Sequence, residues 1–214
     1  MEKKHLVLAS GSPRRKELLS QLGYEFSVLV TDVEECKHAQ ETAEEYVKRL
    51  SLDKALAALS LLKYNTSERQ HVVPSSDTVD HGSDIIVLGS NTVVLGSDTV
   101  VVSQGQVLEK PVDFADSKRM LTQLANERHQ VMTAVSVVSE EKQRTEIIIT
   151  DVWFKPLSEK EIEQYWQTGE PCDKAGSYGI QGLGGRFVIR IEGSYYAVVG
   201  LPLYETDQLL QEFL

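Results

Sequence analysis

Near the start of the chain, Ser10-Gly-Ser-Pro-Arg-Arg15 gathers two hydroxyls, a glycine and two guanidinium groups into six positions. Hydroxyls, free backbone N–H groups and the positive end of a helix dipole together make an anion site. Arg14 and Arg15 would stand in the first turn of that helix, where the dipole disfavours cations. Some other charge has to compensate them, and a phosphate chain would do so; a solvated basic helix start is the plain alternative. Further on, Asp32, Glu34 and Glu35 put three carboxylates into four positions, which suits either a solvated strand end or a hard divalent cation. Lys54 follows Leu50 by four residues on the apolar stripe of a helix, so it either snorkels to the surface or reaches into a site. Five glycines crowd the ten positions from Gly176 to Gly185. That density lets backbone approach a ligand closely, or simply makes a mobile loop.

The elements that must hold these groups follow from pattern. Leu6 to Ala9 is an apolar run too short for a helix and reads as a strand buried on both faces. Ser12 then suits an N-cap and Pro13 the first helical position, with Leu18, Leu19 and Leu22 inward and Gly23 as the stop. Phe26 to Val30 reads as a second strand. Thr42 with Glu45 forms a capping box, opening a helix that turns Tyr46, Val47 and Leu50 inward and runs on through Leu62. Asn65 to Ser83, polar and holding Pro74 and Gly82, reads as a loop. Leu88-Gly-Ser-Asn-Thr-Val-Val is followed at once by Leu95-Gly-Ser-Asp-Thr-Val-Val, a seven-residue repeat that differs only at Asn91 against Asp98. An echo, Ser76-Asp-Thr-Val79, lies upstream, and two copies are too few for a solenoid, so this is a local duplication. Ser103-Gln-Gly-Gln106 signals a hairpin, a helix is expected from about Phe114 to Ala125, and Val131 to Val138 and Thr145 to Phe154 read as long paired strands. Ser158 with Glu161 is a second capping box. Phe187 to Glu192 and Tyr195 to Val199 read as a last hairpin about Gly193-Ser194, and Pro202 opens a terminal helix over Leu209, Leu210 and Phe213. Strands and helices intermix, which predicts an α/β fold with a mixed sheet.

At 214 residues, 41% hydrophobic and 25% charged, the chain can bury a substantial core, and one domain over 1–214 is expected. Its net charge of -10 argues against nucleic acid polymers and anionic membranes, which need a basic face. Any phosphate ligand must therefore meet a local cationic cluster. Two cysteines, Cys36 and Cys172, without a C-x-x-C pair make a disulfide framework or zinc knuckle a poor reading and a reducing compartment the default. The positive start is followed by four apolar residues, too few for a signal peptide. Ile85 to Val102 is apolar but carries Asn91, Asp98, glycines and hydroxyls, so a pair of strands is expected there and not a membrane span.

Ser10-Gly-Ser-Pro-Arg-Arg15, Gly96-Ser-Asp-Thr99, Leu108-Glu-Lys-Pro111 and the run from Asp173 to Gly185 resemble, in order, the signature segments of the Maf family. These are nucleoside triphosphate pyrophosphatases that cut between the α and β phosphates. The resemblance covers nearly the whole chain. It implies a Maf/ITPase-like elongated fold with a central mixed β-sheet flanked by helices and a cleft between two lobes. It further implies a divalent metal (Mg²⁺ or Mn²⁺), a cytoplasmic location and often a homodimer. Carried over by position, it makes Ser10, Ser12, Arg14, Arg15, Lys54 and Lys110 phosphate-side residues. Asp98 becomes the general base and a metal ligand, with one of Glu34 and Glu35, preferably Glu35, as the second metal carboxylate. Arg14, Thr99 and Gln181 are similar to the branch that acts on dTTP and UTP, and Gln181 offers the donor and acceptors that complement O4 and N3–H of uracil or thymine. A nucleotide-binding regulator of cell division that has lost turnover is the alternative from a different class.

The chain departs from the family pattern in the step of 44 positions from Lys54 to Asp98, well over twice what the resemblance leads one to expect. The excess is read as an insertion or duplication at about 65–95. The resemblance assigns Asp98, and not Asp77 or Asp84, as the base, because it stands twelve residues before Lys110 with the hairpin between them, as the family pattern requires. Asn91 cannot act as a base, so the first copy should be inert.

Overall fold

Leu6, Val7, Leu8 and Ala9 are all buried, and their burial on both faces fixes the first strand in the middle of the sheet. In the computed structural model, which describes residues 4–69 and 91–214, β1 (His5–Ala9) is followed by α1 (Pro13–Gln21), β2 (Phe26–Val28) and α2 (Ala43–Arg69). Then come β3 (Thr92–Ser103), β4 (Gln106–Leu108), α3 (Phe114–Leu124), β5 (Arg128–Val138), β6 (Gln143–Phe154) and α4 (Glu159–Trp166). Three short 3-10 turns lead to β7 (Val188–Glu192), α5 (Tyr195–Val199) and α6 (Leu203–Phe213). Among the described residues, seven strands form one sheet in the order β2-β1-β3-β5-β6-β7, with β4 also on β3. β1 pairs parallel with β2 and β3, and the remaining pairs are antiparallel. The expected mixed α/β sheet flanked by helices is therefore present.

Strand alternation divides the core. Leu6, Leu8, Val93 and Leu95 pack with Leu18, Leu19, Leu210 and Phe213 from α1 and α6. On the same side of the sheet but further along, Val101 and Val131 pack with α3, α4 and the aromatic group of Phe154, Tyr165, Tyr178 and Phe187. The residues between them in sequence, Val7, Ala9, Val94, Val100 and Val102, face α2 instead. Each fully buried Val, Leu, Met or Phe side chain among them contributes about 1.5–3 kcal/mol of transfer free energy before entropy is subtracted.

The structure differs from the sequence expectation in three places. Helix α2 continues to Arg69, so Asn65 to Arg69 are helical and not loop: nothing in that polar stretch breaks a helix, and the breaker Pro74 comes later. Pro74, Gly82, the echo Ser76 to Val79 and the first part of the duplicated copy lie outside the described residues. Thr92-Val93-Val94 of the first copy and Leu95 to Val101 of the second are not two strands but one, β3. No turn residue separates Val94 from Leu95, and a β-branched run simply continues extended. Finally, Tyr195–Val199 is helical, so the last hairpin does not form. Ser194 caps this helix, accepting from the Ala197 N–H at 3.2 Å, and Gly200, at φ 128°, ends it. Cys36 and Cys172 are free and exposed, and among the described residues no helix is long and apolar enough to cross a membrane.

Candidate active site

The register of β3 creates the site. β1 accompanies β3 only as far as Ala9 opposite Gly96, and β4 joins it from Val101. Beyond Ala9 the chain turns through Ser10, Gly11 and Ser12 into α1, leaving a slot beside Ser97 to Val100 at the carboxyl end of a parallel strand, where open sheets commonly bind ligands. Asp98 points toward α2 and Thr99 toward α1, because successive side chains on a strand alternate.

On the α2 side, the Lys54 ammonium lies 2.7 Å from Asp98 Oδ1 and 2.6 Å from Glu35 Oε1. Lys110 Nζ is 3.2 Å from Glu35 Oε2. Lys54 thus reaches into the site rather than snorkelling out. Gly96 permits this: a Cβ there would stand 2.2 Å from the Ser51 carbonyl oxygen and 3.0 Å from the Ala55 backbone N, so only glycine lets α2 lie so close to β3. Burial pushes the Glu35 carboxyl up, but hydrogen bonding and charge from Lys54, then Lys110, outweigh it and hold the group below its ordinary value. The Tyr46 hydroxyl sits 3.0 Å from both the Glu35 carbonyl oxygen and Glu109 Oε1, tying the Glu35 segment to the end of β4.

On the other side, Arg15 is held by neutral acceptors. Nε donates to the Gly200 carbonyl at 2.9 Å, Nη2 to Thr99 Oγ1 at 3.1 Å and Nη1 to Ser10 Oγ at 3.4 Å. Thr133 donates to the Ala197 carbonyl at 2.6 Å, so it must accept from Thr99 at 2.9 Å, which leaves the Thr99 oxygen free to accept from Arg15. This chain fixes every hydroxyl proton in it. Burial lowers the Arg15 pKa, the charges of Asp98 and Glu35 oppose that fall, and Arg14 adds to it. The compensation expected for a cation at this helix start thus comes partly from the protein. Ser10 Oγ also accepts from the Ser12 N–H at 3.2 Å, and Ser12 Oγ from the Arg15 N–H at 3.5 Å.

Ten of the candidate residues line one cavity of about 790 Å³: Ser10, Ser12, Arg14, Arg15, Glu35, Lys54, Asp98, Thr99, Lys110 and Gln181, whereas Glu34, the alternative to Glu35, is not among its lining residues. That volume suits a nucleotide. The same cavity takes in residues the sequence reading did not single out as functional, among them Tyr46, Glu109, Glu170 and Tyr178. The helical pattern by itself marks Tyr46 only as an inward-facing residue. Its hydroxyl was the available signal, since a buried Tyr O–H needs a partner. Asn91 stands at the other end of β3, where its carbonyl accepts from the His5 N–H at 3.0 Å.

Among the described residues no group of three or more His, Cys, Asp or Glu side chains converges as a metal cage. The pair that does converge, Asp98 and Glu35 on one nitrogen, is the donor set that a hard cation uses when waters and phosphate oxygens supply its other ligands. The residues present therefore fit such an ion.

The sequence profile of a family described as Maf-like protein matches residues 5–213. The dTTP/UTP pyrophosphatase of Vibrio parahaemolyticus serotype O3:K6 is 64% identical over 209 residues, covering 98% of this chain and 97% of its own. That of Vibrio cholerae serotype O1 is 58% identical over 208 residues, covering 97% of each. That of Hahella chejuensis is 45% identical over 211 residues, covering 99% of this chain and 93% of its own. Among solved structures, the Staphylococcus aureus Ham1 protein aligns with TM-score 0.43 and 16% identity over 71% of this chain and 72% of that one.

Proposed function

The chain belongs to the Maf family, and from that premise we propose that it is a dTTP/UTP pyrophosphatase that releases a nucleoside monophosphate and pyrophosphate. One observation carries the reading: Asp98 and Glu35 meet at a single ammonium inside a cavity that also takes in Arg14, Arg15 and Gln181. Relatives at 64% and 58% identity over nearly their full length bear the name of that activity.

Asp98 takes a proton from water as the water oxygen bonds to the α-phosphorus. The bond from that phosphorus to the bridging oxygen breaks, and its electron pair leaves with pyrophosphate. Arg14, Arg15, Lys54 and Lys110 neutralise the charge gathering on the leaving group, in a cavity where donors already in place need no reorganisation. Arg15 is held on three sides before substrate arrives. A bound Mg²⁺ or Mn²⁺, held by Asp98 and Glu35, would add further positive charge at the phosphates. Gln181, exposed on the cavity wall, reads the base edge with its amide.

The proposal includes a single Maf-like domain over 1–214, a cytoplasmic location, which exposed free thiols suit, and a homodimer, which light scattering of the purified protein would reveal. The test of activity is incubation with UTP, dTTP, CTP, GTP and ATP plus Mg²⁺ or Mn²⁺, with pyrophosphate and orthophosphate measured separately. The expected result is pyrophosphate from UTP and dTTP, abolished in Asp98→Asn. Binding without release above that control would leave the cell-division regulator as the better account.

A further inference from the structure

Gln181 sits on a short span whose two flanks are tied to the same group. On one side, the Gly179 N–H donates to the Tyr165 hydroxyl at 3.1 Å. On the other, the Leu183 N–H donates to Glu170 Oε2 at 2.8 Å and the Gly184 N–H to Glu170 Oε1 at 3.0 Å. The Tyr165 hydroxyl itself donates to Glu170 Oε1 at 2.7 Å, so both tethers end on one carboxylate. Tyr165 is fully buried against Phe187, which gives the clamp a rigid foundation. Lys174 Nζ holds the Glu170 backbone carbonyl at 2.6 Å.

The glycines around Gln181 are spaced for this clamp. A Cβ at Gly182 would lie 2.3 Å from Glu170 Oε2, and one at Gly184 would lie 2.6 Å from the Tyr165 hydroxyl. Their role is close approach to a carboxylate and a phenol, not slack, because an N–H can reach those oxygens only where no side chain stands in the way. Burial would raise the Glu170 carboxyl, but the Gly184 N–H, the Tyr165 hydroxyl, the Leu183 N–H and the charge of Lys174 overcome it and keep the group ionised. An ionised carboxylate is an acceptor at both oxygens, which is what the three donors require.

We propose that Glu170, through Tyr165, is a positioning residue for pyrimidine selectivity: it sets the place of Gln181 against the base. This rests on the reading of the site as a dTTP/UTP pyrophosphatase. Glu170→Gln keeps the shape but replaces one acceptor oxygen by an N–H₂ donor facing backbone N–H groups.

The experiment compares kcat and KM for UTP and CTP in the wild type, Glu170→Gln, Tyr165→Phe, Gln181→Ala and the Glu170→Gln/Gln181→Ala double variant, with melting temperatures alongside. Glu170→Gln should raise the KM for UTP about tenfold and shrink the UTP-over-CTP preference by a similar factor, with kcat changed about twofold or less. Tyr165→Phe should act in the same direction and more weakly. The double variant should be no less selective than Gln181→Ala alone, because both changes act through one amide. A wild type that releases pyrophosphate selectively from UTP, with that selectivity intact in Glu170→Gln and Tyr165→Phe, overturns the proposal. So does an equal loss on UTP and CTP that tracks melting temperature, since a merely structural role would give that. A wild type without pyrophosphate release removes the underlying reading instead, and the two failures are thus told apart.

Discussion

The Lys54 ammonium lies 2.7 Å from Asp98 Oδ1, although the two residues stand 44 positions apart in sequence. The contact holds because α2 rests directly on β3, and it brings Asp98 and Glu35 to one point. Lys54→Met should lower kcat/KM for UTP by about a hundredfold or more, since a preorganised cation is lost where charge develops. Steady-state pyrophosphate release measures it, and a loss below tenfold would remove Lys54 from the phosphate side of the site.

Gly96 supports that contact. Gly96→Ala places a methyl group 2.2 Å from the Ser51 carbonyl oxygen, which helix backbone cannot yield without moving. Overpacking of this kind costs about 1–3 kcal/mol. Urea unfolding should report that loss. Activity under folding conditions should fall further than stability does, because α2 carries Lys54 with it.

Arg15 meets three acceptors in fixed directions, a geometry suited to a planar fork and not to a point charge. Arg15→Lys should therefore reduce kcat/KM about tenfold or more while keeping the charge. Thr99→Val should give a smaller loss of the same kind, as it removes the acceptor at Nη2. Equal activity in Arg15→Lys and wild type would refute the account of this side of the cavity.

The duplicated copy should stay silent. Asn91 immediately precedes β3 and Asp98 lies seven positions further on, within it, about 23 Å at the rise of a β-strand. An acid at 91 is thus out of reach of the cavity. The double variant Asp98→Asn/Asn91→Asp should be as inactive as Asp98→Asn. Recovery of pyrophosphate release would mean that the strand can shift register by a full repeat.

His129 makes stability fall in acid. It is 2% exposed, its Nε2 is 2.8 Å from the Tyr178 hydroxyl, its Nδ1 has no partner, and burial drags its pKa from 6.5 to about 3. The folded pKa is below the unfolded one, so the unfolded chain binds the proton first. The contribution is intact above pH 6.5 and is lost as pH falls from there toward 3, at up to about 1.4 kcal/mol per pH unit. Urea midpoints taken at neutral pH and at about pH 5 should differ more in the wild type than in His129→Gln, where His5 and the carboxylates held below their ordinary values leave the smaller remainder.

Most of the elements were legible because their causes are local. Ser12 and Pro13 start α1, paired Thr42 with Glu45 and Ser158 with Glu161 start α2 and α4, and apolar runs of the right length give β1, β5 and β6. The candidate residues were legible as types in a pattern. What misled was also local: Tyr195–Val199 has strand-like composition, yet Ser194 and Gly200 cap it as a helix. That helix turns the Ala197 and Gly200 carbonyls toward Thr133 and Arg15, so the misread segment is the one that orients Arg15.

The sequence by itself determined an acidic α/β chain with a basic helix start, clustered carboxylates and a glycine-dense loop. Only the tertiary structure decided that both copies of the repeat run into one strand, that one ammonium joins Asp98 to Glu35, and that Glu170 clamps both flanks of Gln181. The reason is physical. Caps, turns and hydrophobic periods act over a few residues and are written where they act, whereas a contact such as Gly96 against Ser51 exists only once packing has chosen which helix lies on which strand.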